Sequence, residues 1–443
     1  MNKKAKIAVS VTVAVLVVVL AFFAGFFTSR CTADKTLSSY RWALKTIEEN
    51  YYFSEPDHKF TETSLKAIAD TYLDRYSEYY TKEEYEEVLK SNEGTKSGIG
   101  ISYSFVSGKG IFISRVVGNS PAYKSGLRAG DCLKSGSIKD GEEISFTSQS
   151  AFSNLITSAK DGENINLKSE DGTVCTVAKA EYTASYTSLS FSDTGWTFHD
   201  SADGGLALFE ETSLRIPSLP EGCAYLKLDQ FYGSATNEFY LLVEKFNAEN
   251  CTSLILDLRS NGGGYVSIMQ DIAGCFANGE KKLAMLSKDK KGKEEKFYCK
   301  KISDANRRIG KDKKVFVLAN AGTASASEAL IGAMICYGAL SYENIFLSKY
   351  SDEYIDWLYP DGEGVKNAQT YGKGIMQTPF TNHLTGEVLK LTTAKIFWPD
   401  EVTSIHDRGV TLADGCTAVD TSFEWTKGDG ELKTAIEIIK TRV

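Results

Sequence analysis

The stretch Lys313–Leu340, KKVFVLANAGTASASEALIGAMICYGAL, decides how the chain is read. The apolar run Val315–Ala319 predicts a strand buried on both faces, as in a parallel sheet. A turn at Ala321-Gly322-Thr323 follows, and an apolar helix starts at Ser325. Ser325-Ala326-Ser327-Glu328 has capping-box spacing, in which serine and glutamate satisfy backbone N–H groups reciprocally, and capping alone would account for the serine. The same place has a second use. A hydroxyl at a strand-to-helix turn faces out over the sheet edge, where free N–H groups and the positive end of the helix dipole favour a developing oxyanion. Chemistry there requires a base.

Only four histidines exist, His58, His199, His383 and His406. None sits in an evident triad motif, and G-x-S-x-G is absent. A lysine can serve instead if it is neutral, which demands burial and distance from carboxylates. Lowering its pKa from about 10.4 to about 7.4 costs roughly 4 kcal/mol. The segment Tyr371–Gln377, YGKGIMQ, offers Lys373 between glycines, with Gln377 four residues later. That amide oxygen can orient an amine without charging it. A third piece is SLILDLRSNGGGYVS, Ser253–Ser267, where a buried strand ends in Asn261-Gly262-Gly263-Gly264. Glycines can turn their N–H groups toward one point, as an oxyanion hole requires. No G-K-[ST] follows, which argues against a phosphate loop.

Outward from these motifs, strands and helices alternate from Cys223. AYLKLDQF reads as a strand, ATNEFYLLVEKFNAE as a helix, and the tail GELKTAIEIIKTR as a closing helix, so residues 223–443 form an α/β core. Residues 184–222 read as an irregular connector. Upstream, GIGISYSF, GIFISRVV, NINLKS and TVCTVAKA are short strands between glycine turns, and residues 94–183 form a β-rich module. Its GIGI loop and S-P-A-x-x-x-G-L-x-x-G-D run resemble a PDZ domain. The resemblance implies that Gly98, Ile99, Gly100 and Ile101 receive a peptide's terminal carboxylate while the peptide pairs along a strand edge. Residues 31–93 are helical, with apolar spacing in SLKAIADTYL and a T-x-x-E capping box at Thr81.

The chain of 443 residues has room for about three domains. Its net charge of −8 makes nucleic acid a poor partner. After MNKKAK, residues 7–27 hold no charge and would span about 32 Å as a helix. That run exceeds the roughly 7–15 apolar residues of a signal peptide and no A-x-A site follows, so an uncleaved membrane anchor is expected, with residues 1–6 inside and everything after the span outside the cytoplasm. Arg30 before Cys31 makes a poor lipid-attachment site. The nine cysteines are never closer than 24 residues, so neither a metal knuckle nor a redox motif exists, and Cys336 reads as plain core. No metal or cofactor is implied.

Jointly, LDRYSEYYTKEEY, GIGI with SPA…GLRAGD, AYLKLDQF, DLRSNGGG, TASASE, YGKGIMQ and SIHDRGVT resemble, in order, the motifs of the carboxyl-terminal processing peptidases, the tail-specific protease family. The implied fold is α+β and multidomain: a transmembrane helix, a small helical region, a PDZ domain and an α/β serine-peptidase core. The implied roles are Ser325 as nucleophile, Lys373 as general base and Gln377 as its orienter, with the N–H groups of Gly263 and Ala326 as the oxyanion hole and the glycine placed to within one residue. The implied partners are protein substrates held by their carboxyl-terminal tails, and a homo-oligomer is compatible. Ser325 and Lys373 stand 48 residues apart, about twice the family's spacing, because SDEYIDWLYPDGEGVKNAQ is inserted. Lys349 competes by distance but lacks the glycine flanks. Asp361 and Glu363 in the insertion must point away from Lys373 if it is the base. Gly262 stands where the family often has proline, and His406 reads as structural. Two rivals are a silent PDZ scaffold and a Ser-His hydrolase using His383 or His406.

Overall fold

The computed structural model describes residues 35–52, 65–352, 355, 366–421 and 429–443. The expected anchor, residues 7–27, and the insertion's Asp361 and Glu363 lie outside the described residues. Among the described residues no helix is long and apolar enough to cross a membrane.

The chain divides into two compact units. One joins the N-terminal helices Lys35–Asn50 and Leu65–Tyr72 to the segment Gln377–Thr393. Ala43, Ile47 and Ile68 pack there against Leu389 and Leu391. The N-terminal helical region is thus completed by residues from the C-terminal third, which local periodicity cannot reveal. The capping box at Thr81 forms: its N–H donates to Glu84 Oε2 at 3.0 Å, and its Oγ1 accepts from Glu84 N–H at 3.2 Å.

The second unit holds the β-rich module and the core. In the module, antiparallel neighbours run Ile101–Val106, Gly110–Val116, Cys132–Ile138, Asn164–Ser169 and Val174–Ala178. Thr95–Gly98 pairs separately with Ala180–Thr183. Inward residues of these strands, Ile111, Ile113, Leu133, Ile165 and Leu167, close on Phe152 of the helix Gln149–Ser158. Serines cap both helices of the module: Ser120 Oγ accepts from Tyr123 N–H, and Ser148 Oγ from Ala151 N–H, each at 3.1 Å.

The core is an eight-stranded sheet in the order Leu206–Glu210, Gly195–Asp200, Thr187–Ser190, Cys223–Leu228, Ser253–Asp257, Lys314–Ala319, Ile345–Tyr350, Thr417–Thr421. The last five strands are parallel. Alternate residues serve opposite faces: Val315 and Val317 meet the helices Ala235–Ala248, Val266–Phe276 and Ala326–Tyr337, while Phe316 and Leu318 meet Gly430–Ile439. This explains why these strands read as continuous apolar runs. The stretch 184–222 departs from its reading as connector, because it supplies the three antiparallel strands that extend the sheet. They are only four to six residues long, and tight turns separate them, closed by Phe191 N–H to Thr194 O at 2.8 Å and Ser201 N–H to Gly205 O at 2.9 Å. Turn residues therefore dominate the composition and hide the strands. Cys336 also departs from expectation: it lies in the last turn of its helix and is exposed.

Candidate active site

Two loops leave the carboxyl ends of adjacent parallel strands, where ligands of α/β sheets gather. The first follows Lys314–Ala319. Asn320 N–H donates to Thr323 Oγ1 at 2.9 Å, and Thr323 Oγ1 donates to Leu258 O at 2.8 Å. Ala324 N–H reaches Asn261 O at 3.0 Å, and Ser327 Oγ the same carbonyl at 2.9 Å. These bonds hold Ser325 at the N-cap of the helix Ala326–Tyr337 with φ 58° and ψ −116°, a conformation that costs a side-chain-bearing residue about 1–3 kcal/mol. Ser325 is half-buried between the strand and the helix, and the capping-box partner expected for it is in place, since its N–H donates to Glu328 Oε2 at 2.9 Å.

The second loop is Leu258–Gly264. Asn261 Nδ2 donates to Leu228 O at 2.8 Å, and its Oδ1 accepts from Gly263 N–H at 3.0 Å. Gly263 has φ 101°, and a Cβ there would lie 2.8 Å from Ser325 Cβ and 3.0 Å from Ala326 N. Only glycine permits this approach. Gly264, at φ 146°, leaves no room for a side chain, since a Cβ would fall 2.3 Å from the Phe231 carbonyl oxygen. Gly262 faces open space, which fits a position where proline is tolerated. Of the expected oxyanion donors, Ala326 heads its helix, where the N–H has no intrahelical acceptor. The Gly263 N–H is already held by Asn261.

Lys373 lies in the irregular segment before the strand Ile375–Thr381. Tyr371 N–H donates to Thr323 O at 2.9 Å. Most informative is Glu328, a carboxylate with no solvent exposure. Its Oε1 accepts from Thr370 Oγ1 at 2.6 Å and Gly372 N–H at 2.7 Å, and its Oε2 from both Ser325 N–H and Lys373 N–H at 2.9 Å. One buried oxygen thus joins the main chains of two residues far apart in sequence. Burial pushes the Glu328 carboxyl up, and the four hydrogen bonds oppose that shift. Sequence reasoning sees Glu328 only as a capping partner. A glutamate at the head of an otherwise apolar helix is the signal that could have found it.

The glycines around Lys373 have a geometric cause. Gly372, at φ 82°, passes Gly409 N so closely that a Cβ would sit 2.9 Å away, and a Cβ on Gly374 would meet His406 N at 2.6 Å. Asp407 N–H donates to Gly372 O at 2.9 Å. The His406–Gly409 main chain is therefore the support on which the lysine loop rests, and His406 Nε2 stands 3.4 Å from Asp407. Lys349 instead pairs with Asp420 at 3.1 Å, on the last parallel strand of the sheet. Gln377, in the other unit, donates from Nε2 to Thr392 Oγ1 at 3.0 Å, which leaves Oε1 as its acceptor end.

In the β-rich module, a groove of about 740 Å³ runs between Ile101–Val106 and Gln149–Ser158 and is lined by Gly98, Ile99, Gly100, Ile101, Phe152 and Ile156. Gly98 and Gly100 have φ of 129° and 82°, and a Cβ on Gly100 would fall 2.2 Å from Ser120 Cβ. Lys96 and Arg115 stand at the same groove. Burial pushes the Lys96 amine down, and the Arg115 charge adds to the effect.

Residues 222–339 match peptidase family S41. A CtpA-like serine protease of Staphylococcus haemolyticus is 24% identical over 373 residues, covering 83% of this chain and 62% of that protein. The chain thus spans somewhat under two thirds of that relative's length. Among solved structures, the photosystem II D1 C-terminal processing protease aligns over 91% of this chain and 97% of its own, with TM-score 0.50 and 17% identity. An S41 protease from Bacteroides fragilis aligns over the same shares with TM-score 0.56 and 14% identity. At these identities the structural likeness is one of fold.

Proposed function

We propose that this chain, whose residues 222–339 match peptidase family S41, is a membrane-anchored serine endopeptidase of the carboxyl-terminal processing type, which cleaves proteins near their carboxyl termini by a Ser-Lys mechanism. Ser325 Oγ attacks the scissile carbonyl as Lys373 Nζ takes its proton, and the lysine then gives that proton to the departing amine. An ester on Ser325 remains, and water activated by the same amine releases it. Ala326 N–H and a glycine N–H of the 262–264 turn stabilise the oxyanion, either from Gly264 or from Gly263 once it leaves Asn261. The resemblance gives Gln377 the role of orienting the lysine amine, which an amide oxygen can do without charging it.

The observation that carries this reading is the shared acceptor: Glu328 Oε2 takes hydrogen bonds from the main chains of both Ser325 and Lys373. The groove at Gly98–Ile101 supports capture of an apolar carboxyl tail by the PDZ-like module. Residues 7–27 are proposed as the anchor, with the catalytic part outside the cytoplasm.

The test is incubation with a protein bearing an apolar carboxyl tail, followed by fragment masses. The expected products are truncated near that tail, they vanish with Ser325→Ala, and they diminish when the tail is amidated. Tail binding with no product from wild type would instead identify a silent scaffold. Cleavage surviving Lys373→Ala but lost in His406→Ala would point to a histidine base.

A further inference from the structure

We propose that Asn320 is a positioning residue that sets the register between the glycine turn and the nucleophile turn. The proposal rests on the serine-peptidase reading above. Asn320 is 8% exposed. Its Oδ1 accepts from Ser260 N–H at 2.8 Å and Gly322 N–H at 2.9 Å. Its Nδ2 donates to Ser260 Oγ and Tyr350 OH, both at 3.2 Å.

The bond to Gly322 alone would be a local turn of the kind asparagine commonly makes. The bond to Ser260 is not local, since it crosses to the end of the neighbouring strand, 60 residues earlier. Ser260 has φ 59°, in the left-handed region, so an external hold is needed to keep it there. The two turns touch at this point, where a Cβ on Gly322 would lie 2.9 Å from Ser260 Cα. Three residues beyond Ser260 is Gly263, against Ser325, and three residues beyond Gly322 is Ser325 itself. The Asn320 amide therefore clasps both turns at equal chain distance from the point where the donors meet the nucleophile.

Attachment of the turns does not depend on Asn320. Thr323 Oγ1 to Leu258 O, Ala324 N–H to Asn261 O and Ser327 Oγ to Asn261 O join them independently. What Asn320 adds is the conformation of Ser260, and through it the placement of the glycine N–H groups. A displacement of about 1 Å in such a site costs on the order of a hundredfold in rate.

The experiment uses the full chain and a tail-bearing protein substrate. Asn320→Ala is expected to lower kcat about a hundredfold with KM within about twofold and Tm lower by only a few degrees. Asn320→Asp keeps an acceptor for both N–H groups, while Ser260 Oγ and Tyr350 OH can donate to it, and it should stay within about tenfold of wild type. In the double variant Asn320→Ala with Ser260→Gly, glycine holds positive φ without help, and part of the lost kcat should return. Wild-type kcat in Asn320→Ala overturns the proposal. So does a loss of rate that merely follows a collapse in Tm and is relieved by neither Asp nor Ser260→Gly. A wild-type chain with no Ser325-dependent cleavage overturns the underlying reading and this proposal with it.

Discussion

Ser325 carries backbone strain, and on the proposed mechanism that strain is separable from its chemistry. Ser325→Gly removes the penalty at φ 58°, and even after the flexibility glycine adds to the unfolded chain, stability should rise by about 1 kcal/mol while cleavage is abolished. A thermal melt beside an activity assay checks both halves, and a drop in Tm would contradict the conformational account. Gly374→Ala should do the reverse, because its Cβ would press on the His406 main chain. It displaces the lysine loop, and kcat should fall tenfold or more while groove binding of a tail peptide is unchanged. At this scale the serine at a helix start, the lysine among glycines and the triglycine turn are all legible from sequence; the structure links the main chains of Ser325 and Lys373 through Glu328 and brings Gly263 against Ser325. Three features are not legible. Asn261 holds the Gly263 N–H, Glu328 joins two loops, and Lys349 pairs with Asp420. Each depends on a partner distant in sequence, which residue type and spacing cannot supply.

At the scale of elements, Glu328 does what neither helix nor loop does alone. Four donors converge on its two oxygens. Glu328→Ala would strand them in a buried site and should destabilise the chain by about 3–5 kcal/mol, readable in denaturant unfolding. The strands of 184–222 have their own electrostatic tie to the β-rich module. Glu211 accepts from Tyr123 OH at 2.8 Å and lies 3.3 Å from His199 Nε2. Burial works to raise its carboxyl, but hydrogen bonds from Ser213, Tyr123 and His199 win and hold it below its ordinary 4.5. A carboxyl depressed by folding contributes stability above its unfolded pKa and loses it as pH falls through the folded one. Tm should therefore decline on acidification below about pH 4.5, and Glu211→Gln should flatten that decline. An unchanged slope would show that the contact contributes nothing. The strands themselves escape sequence reading because runs of four to six residues between Asp/Gly-rich turns carry too little period-two signal.

For the molecule as a whole, the alternation of apolar strands and helices from Cys223 onward outlines the α/β core from residue order alone, because parallel strands must be apolar on both faces. The pairing of Gln377–Thr393 with the N-terminal helices is invisible there, since it is a long-range association without a local motif. On the proposed mechanism a neutral Lys373 removes one proton from Ser325. The most direct measurement is the pH dependence of Ser325 modification by a small serine-directed phosphonate, which needs neither a tail nor the groove. Wild type should react along a titration whose midpoint lies well below the roughly 10.4 of a free lysine, and Lys373→Ala should react at least about a hundredfold more slowly, with that titration gone. A Lys373→Ala variant that keeps both the rate and the profile of wild type would contradict the account.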